Sequence, residues 1–303
     1  MNRRARPLAT AEPVHGGGGA GAAPQRMLRI GCVKYLNARP LIRGWPGEVE
    51  FEHPAALCER LANGELDVAL VSSFEFLRNP IYRIIDGVSI SSDGPVYSVV
   101  VAHRAELSKI QEIELDPASE TAVNLLRCLL AELELNPRLV QCSTGISPAM
   151  DKSAVHSARL LIGDQAIRFR QNHTGEFEFW DLGEQWKKHI DLPFVYALWL
   201  IRPEVIAPKH IADRLRGLRD ENLERLNQLI ADAISGVGMS AVALAKADDP
   251  GHPESTSQFL SAYYHEHLRF SFGKAEKEGL RTFAQLCAKR GLLPGGGIAF
   301  DLL

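Results

Sequence analysis

Residues 193–202 read PFVYALWLIR, a run of apolar side chains closed by an arginine. It falls well short of the roughly 18 or more residues a membrane helix needs, so it reads as an interior β-strand. A second run of this kind, YSVVVAH at 97–103, lies upstream. Between them the chain keeps an α/β alternation of its own. IELD (113–116), RLVQC (138–142) and ARLLIG (158–163) read as strands, and SETAVNLLRCLLAELEL (119–135) and DQAIRFRQ (164–171) as helices. Before the first run, LRIGCV (28–33), EVEFEH (48–53) and LDVALVSS (66–73) read as strands, and AALCERLANGE (55–65) as a helix with Leu57 and Leu61 on one side. Such alternation predicts largely parallel sheets covered by helices. After Pro203 the pattern turns helical. The simplest arrangement makes the two apolar runs crossings between two lobes. The first lobe is 27–98, with 200–303 returning to it as C-terminal helices; the second is 99–199. A cleft between such lobes favours a small ligand, and the crossings can hinge.

Composition narrows the ligand. The 303 residues carry a formal net charge of -3, with 46% hydrophobic and 23% charged residues, the balance of an ordinary globular protein. No dense Lys/Arg block offers a footprint for nucleic acid or an anionic membrane. The five cysteines, Cys32, Cys58, Cys128, Cys142 and Cys287, are scattered in apolar context without CxxC spacing, which predicts buried thiols in a reducing compartment and no metal site. His265 and His267 are two apart and point away from each other on a helix, so they do not chelate one ion. Residues 1–26 lack periodicity and large apolar groups and read as a disordered tail. No apolar stretch follows Arg3 and Arg4, as an export signal requires. Gly16, Gly18 and Gly21 match G-x-G-x-x-G, but no strand precedes them, so the match is discarded.

YLNARPL (35–41), LDVALVSSFEFL (66–77), SDGPVYSVVVAH (92–103), LDPASETAVNLL (115–126), LLIGDQAIR (160–168) and DLGEQWKKHIDLPFVYALW (181–199) occur in this order. Together they resemble the chorismate dehydratases of the futalosine route to menaquinone. The likeness is strong from Leu28 to about Pro203 and loose in the C-terminal helices. It implies a two-lobed type II periplasmic-binding-protein-like α/β fold, a cytoplasmic location, no cofactor, and chorismate, a small dianion, as substrate. The related naphthoate synthases share the fold but leave the first strand through a Ser-Pro-Cys-Pro-Asn-Asp type of segment, where this chain has Lys34-Tyr35-Leu36-Asn37-Ala38-Arg39-Pro40.

The dehydration removes the ring C4 hydroxyl and the C3 hydrogen, and aromatisation drives it; the protein must hold both carboxylates in one orientation. Asn37 follows the first strand, where an amide can donate to a carboxylate and accept from a hydroxyl. The resemblance makes it the grip on the enolpyruvyl carboxylate, with Tyr35, Leu36 and Pro40 shaping the wall, and puts the Ser98 hydroxyl on the substrate as well. Ser119 and Thr121 open an apolar-striped helix, either as caps or as part of an anion site at its positive end. Ser72 and Ser73 end a strand pointing to the mouth of the sheet, where capping and ligand contact compete. Asp164 is either a helix cap or, facing the C4 hydroxyl, a proton donor or hydrogen-bond acceptor. Trp180, Trp186 and Trp199 read as interface core or cleft wall, and Lys34 and Arg39 as steering charges. No matched motif holds an evident base, which leaves the substrate's own enolpyruvyl carboxylate to take the C3 proton.

Overall fold

The computed structural model of the protein describes residues 27–116, 118–141, 156–235 and 253–303; Cys142 and the expected tail lie outside them. The chain runs β1 (Ile30–Val33), α1 (Arg39–Ile42), β2 (Val49–Glu52), α2 (Pro54–Ala62), β3 (Val68–Ser72), α3 (Ser73–Arg78) and β4 (Arg83–Ser92). It crosses into β5 (Val99–His103), β6 (Glu112–Leu115), α4 (Glu120–Glu132), β7 (Arg138–Gln141), β8 (Ser157–Ile162), α5 (Gly163–Asn172), β9 (Glu178–Asp181) and α6 (Leu182–Ile190). It then enters β10 (Phe194–Ile201), followed by α7 (Pro208–Glu224), α8 (Leu226–Ser235), α9 (Pro253–Ala262) and α10 (Lys274–Lys289).

Two five-stranded sheets result, ordered β2-β1-β3-β10-β4 and β7-β6-β8-β5-β9. Helical crossovers make β1 parallel to β2 and β3, and β6 parallel to β7; β8 is parallel to β6 as well. The two crossing strands depart from the parallel expectation: β10 is antiparallel to β3 and β4, and β5 is antiparallel to β8 and β9. A strand arriving from the other lobe has no crossover helix fixing its direction, and each inserts beside strands it reaches from the opposite side. Because β10 belongs to the first sheet, the chain returns there at Phe194, ahead of the boundary predicted after residue 199.

β10 is buried along its whole length, as its apolar run requires, and the crossing strand β5 is buried as well. β4 and β9 are absent from the predicted strands. In β4, Gly87 stands at φ 77°, and Ser89 and Ser91 are buried. The two serine hydroxyls donate to the carbonyls of Ser271 and Arg269, so the C-terminal region completes this strand. Helix α10 packs on both β10 and α4, joining the two lobes behind the cleft. There Cys128 of α4 and Cys287 of α10 face each other as buried free thiols, with sulfurs 3.8 Å apart; Cys32 and Cys58 are buried too. Among the described residues no helix is long and apolar enough to cross a membrane.

Candidate active site between the lobes

The chain leaves β1 through a single 3₁₀ turn, Leu36–Ala38. Two bonds hold that turn from opposite sides. The Leu36 N–H donates to Asp164 Oδ1 at 2.9 Å, and the Leu36 carbonyl accepts from the Tyr264 hydroxyl at 2.9 Å. With Leu36 fully buried as the anchor, the next side chain, Asn37, is presented to the inter-lobe space. Its Oδ1 is buried and has no hydrogen-bond partner among the described residues. A buried acceptor left without a donor costs roughly 1–3 kcal/mol.

The first crossing, between β4 and β5, is pinned by Asp181. Its carboxylate accepts from the N–H groups of Val96 and Tyr97 at 3.0 and 2.7 Å, and also caps α6 through Gly183 and Glu184. Tyr97 is thereby held at φ 66°, and the Arg170 guanidinium lies 4.0 Å over its ring. Gly183 is needed beside this crossing, since a Cβ there would sit 2.6 Å from the Gly94 carbonyl and 2.7 Å from the Tyr196 hydroxyl. One residue beyond Tyr97, Ser98 is fully buried, and its Oγ accepts from the Tyr263 hydroxyl at 2.8 Å.

These elements enclose a cavity of about 60 Å³ lined by both lobes. Asn37, Ser72, Ser98, Ser119 and Tyr196 supply its polar wall, while Val33, Ile90, Val96 and Ile162 are among its apolar residues. Gly163 also lines it, at φ 56° with the Tyr35 ring 3.0 Å from where a Cβ would stand, so a side chain there would displace Tyr35.

Ser73, Thr121 and Asp164 do not line this cavity. Ser73 Oγ donates to the Val195 carbonyl at 2.7 Å. Thr121 Oγ1 accepts from the Phe74 N–H at 3.0 Å and pairs with the Ser72 hydroxyl, while its own N–H donates to Ser72 Oγ at 3.2 Å. Ser72 therefore makes no capping bond in α3 but ties α4 to the first lobe. The tip of α4 is correspondingly less open than predicted. Thr121 N–H is spent on Ser72, Ala122 N–H on Ser119 Oγ at 3.3 Å, and Glu120 places a carboxylate in the first turn. Ser119 both caps the helix and lines the cavity. Asp164 is no cap either; it reaches across to the Leu36 N–H, and burial pushes its carboxyl up to about 6, with that N–H and the nearby Arg168 and Arg39 pulling the other way.

None of Trp180, Trp186 and Trp199 lines the cavity; all are core. Tyr196, which does line it, and Tyr263 and Tyr264, whose hydroxyls bond Ser98 and the Leu36 carbonyl, lie in runs whose periodicity reads only as core. Lys34 and Arg39 line a neighbouring cavity of about 300 Å³ that shares Val33 and Tyr35 with the first, and Arg39 Nη2 is buried there without a partner.

A family described as Menaquinone biosynthesis matches residues 28–289. The chain belongs to the menaquinone biosynthesis family. Within that family setting it is 28% identical over 274 residues to a Thermus thermophilus protein named chorismate dehydratase, covering 84% of this chain and 93% of that protein. The fold of this menaquinone-family chain is the two-lobed one of periplasmic binding proteins. It is similar to the alkanesulfonate-binding protein SsuA of Xanthomonas axonopodis pv. citri, at TM-score 0.57 and 17% identity over 93% of this chain and 99% of that one. It is also similar to a Candida albicans protein described as having the generic periplasmic binding protein fold, at TM-score 0.57 and 12% identity over 89% and 91% of the two chains.

Proposed function

We propose that this protein is a chorismate dehydratase, a carbon–oxygen lyase that removes water from chorismate to give 3-[(1-carboxyvinyl)oxy]benzoate on the futalosine route to menaquinone. It would act in the cytoplasm and without a cofactor, as its resemblance to that family implies. One observation carries the reading: Asn37, with a buried acceptor that no described residue satisfies, shares an inter-lobe cavity with Ser98, Ser72 and Ser119. Chorismate answers that arrangement. Its C4 hydroxyl can donate to Asn37 Oδ1 while the Asn37 NH₂ and the Ser98 hydroxyl donate to its carboxylates.

The roles follow from what the lining can and cannot do. No Lys, His, Asp or Glu lines the cavity, so the proposed proton acceptor is the substrate's enolpyruvyl carboxylate, held over C3 by Asn37 and Ser98. Closure of the lobes on the substrate would exclude water and strengthen each such hydrogen bond from these fixed neutral donors. The cavity of about 60 Å³ is far below the roughly 300 Å³ at the lower end of ligand pockets, so admission of substrate requires the lobes to separate along the crossings, 27–98 with the C-terminal helices against the central block. That no Lys, His, Asp or Glu stands in the same lining also favours a second reading, a small-anion binding protein without chemistry.

Mixing the purified protein with chorismate and following products by absorbance and mass separates the two. The dehydratase yields an aromatic product lighter by one water. Bound but unchanged chorismate supports the binding protein, and release of pyruvate with 4-hydroxybenzoate assigns different regiochemistry.

A further inference from the structure

We propose that Tyr263, in the C-terminal helical region, is a positioning residue that aims the Ser98 proton into the inter-lobe cavity; the proposal rests on the site reading given above. A serine hydroxyl has one proton and two lone pairs and rotates to suit its neighbours. At Ser98 one of those lone pairs is occupied by the Tyr263 hydroxyl, 2.8 Å away, and both side chains are fully buried. Among the described residues no acceptor takes the Ser98 proton. With one direction filled by a donor, that proton is left for whatever occupies the cavity Ser98 lines.

Tyr263 is itself held firmly. Its ring stacks on Phe259, centroids 5.8 Å apart and planes 11° apart, and leans on Tyr264 at 5.7 Å. Burial, and secondarily the nearby Asp164, Tyr264 and Asp181, raise the phenol's pKa against the opposing pull of Ser98, so it stays protonated and remains a donor. The turn that carries it, Tyr263–His267, is a π-helical turn, a form frequent at functional sites. In this turn two consecutive tyrosines serve two different segments: Tyr263 fixes Ser98 at the first crossing, and Tyr264 fixes the Leu36 carbonyl immediately before Asn37. One turn, distant in sequence from both, thus sets the relation between the two groups proposed to grip the enolpyruvyl carboxylate.

The test is a double-mutant cycle of Tyr263→Phe and Ser98→Ala, read in chorismate turnover with melting temperature as the folding control. Tyr263→Phe is expected to lower kcat about tenfold with KM within about twofold, the scale of one misaimed hydrogen bond. Adding it to Ser98→Ala is expected to cost nothing further. Tyr264→Phe, which leaves Ser98 aligned, is expected to add its loss in full to that of Ser98→Ala. A Tyr263→Phe enzyme with unchanged kcat, or one whose loss multiplies that of Ser98→Ala, overturns the inference. If the wild-type protein binds chorismate without converting it, the lyase reading fails alone, and the same cycle in Kd carries the same expectation and the same refutation. A wild-type protein that neither binds nor converts chorismate overturns both.

Discussion

Two polar clusters lie where the lobes meet, and they are finished to different degrees. On the α3–α4 side, Ser72, Ser73 and Thr121 bond to one another and to the Phe74 N–H and Val195 carbonyl. On the side of the β1 exit, Asn37 keeps a buried oxygen with no partner among the described residues, and Ser98 accepts one bond while no described residue takes its proton. Residue type does not separate them, since both are built from small neutral hydroxyls and amides. Their hydrogen-bond accounting does. A closed network holds two elements together, whereas an open one is held at a cost by the surrounding fold and stands ready for a ligand.

Substitutions should therefore act in opposite ways on the two sides. The largest effect is expected from Asn37→Ala. Loss of a donor preorganised for the developing charge is worth roughly 10²–10³ in kcat. Because the lost Oδ1 has no hydrogen-bond partner among the described residues, the melting temperature should hold or rise. A variant that weakens only KM would remove Asn37 from the chemical step.

Next comes Asp164, beneath the Asn37 turn. Its carboxyl titrates at about 6 in the fold against an ordinary 3.8, chiefly through burial. The folded state thus favours the protonated acid. The associated stability is fully present below about pH 3.8 and is lost as pH rises through about 6, amounting to at most about 3 kcal/mol. Asp164→Asn keeps an oxygen for the Leu36 N–H and abolishes that slope, so the variant should gain on the wild type by up to that amount between about pH 4 and 7.5 in urea unfolding. Parallel stability curves would contradict the burial account.

Thr121→Val, on the closed side, is expected to cost about 1–3 kcal/mol of folding stability by stranding the Phe74 N–H, while kcat stays within about threefold. A kcat loss as large as that of Asn37→Ala at unchanged stability would erase the distinction between the sides.

Much of this arrangement was legible in the sequence, for stated reasons. The apolar runs at 97–103 and 193–202 were long enough only for strands, and they are the two crossing strands. Asn37 stood out because varied polar groups directly after a strand do not suit packing, and Ser119 because a hydroxyl before an apolar-striped helix caps it. What stayed hidden depended on partners far along the chain. The serines of β4 are buried because carbonyls about 180 residues later accept from them. Asp164 looked like a cap, but its partner is the Leu36 N–H in the other lobe. Tyr263 and Tyr264 fit helical periodicity as core residues, and only the assembled molecule shows their hydroxyls on Ser98 and the Leu36 carbonyl.

The contrast between an open and a closed side can be read most directly in a ¹H–¹⁵N spectrum of the labelled protein, with the Asn37 side-chain amide pair assigned by its disappearance in Asn37→Ala. Addition of chorismate should move that pair strongly and leave the Thr121 backbone amide, already spent on Ser72, nearly in place. An Asn37 pair that stays still at saturating chorismate would contradict the account.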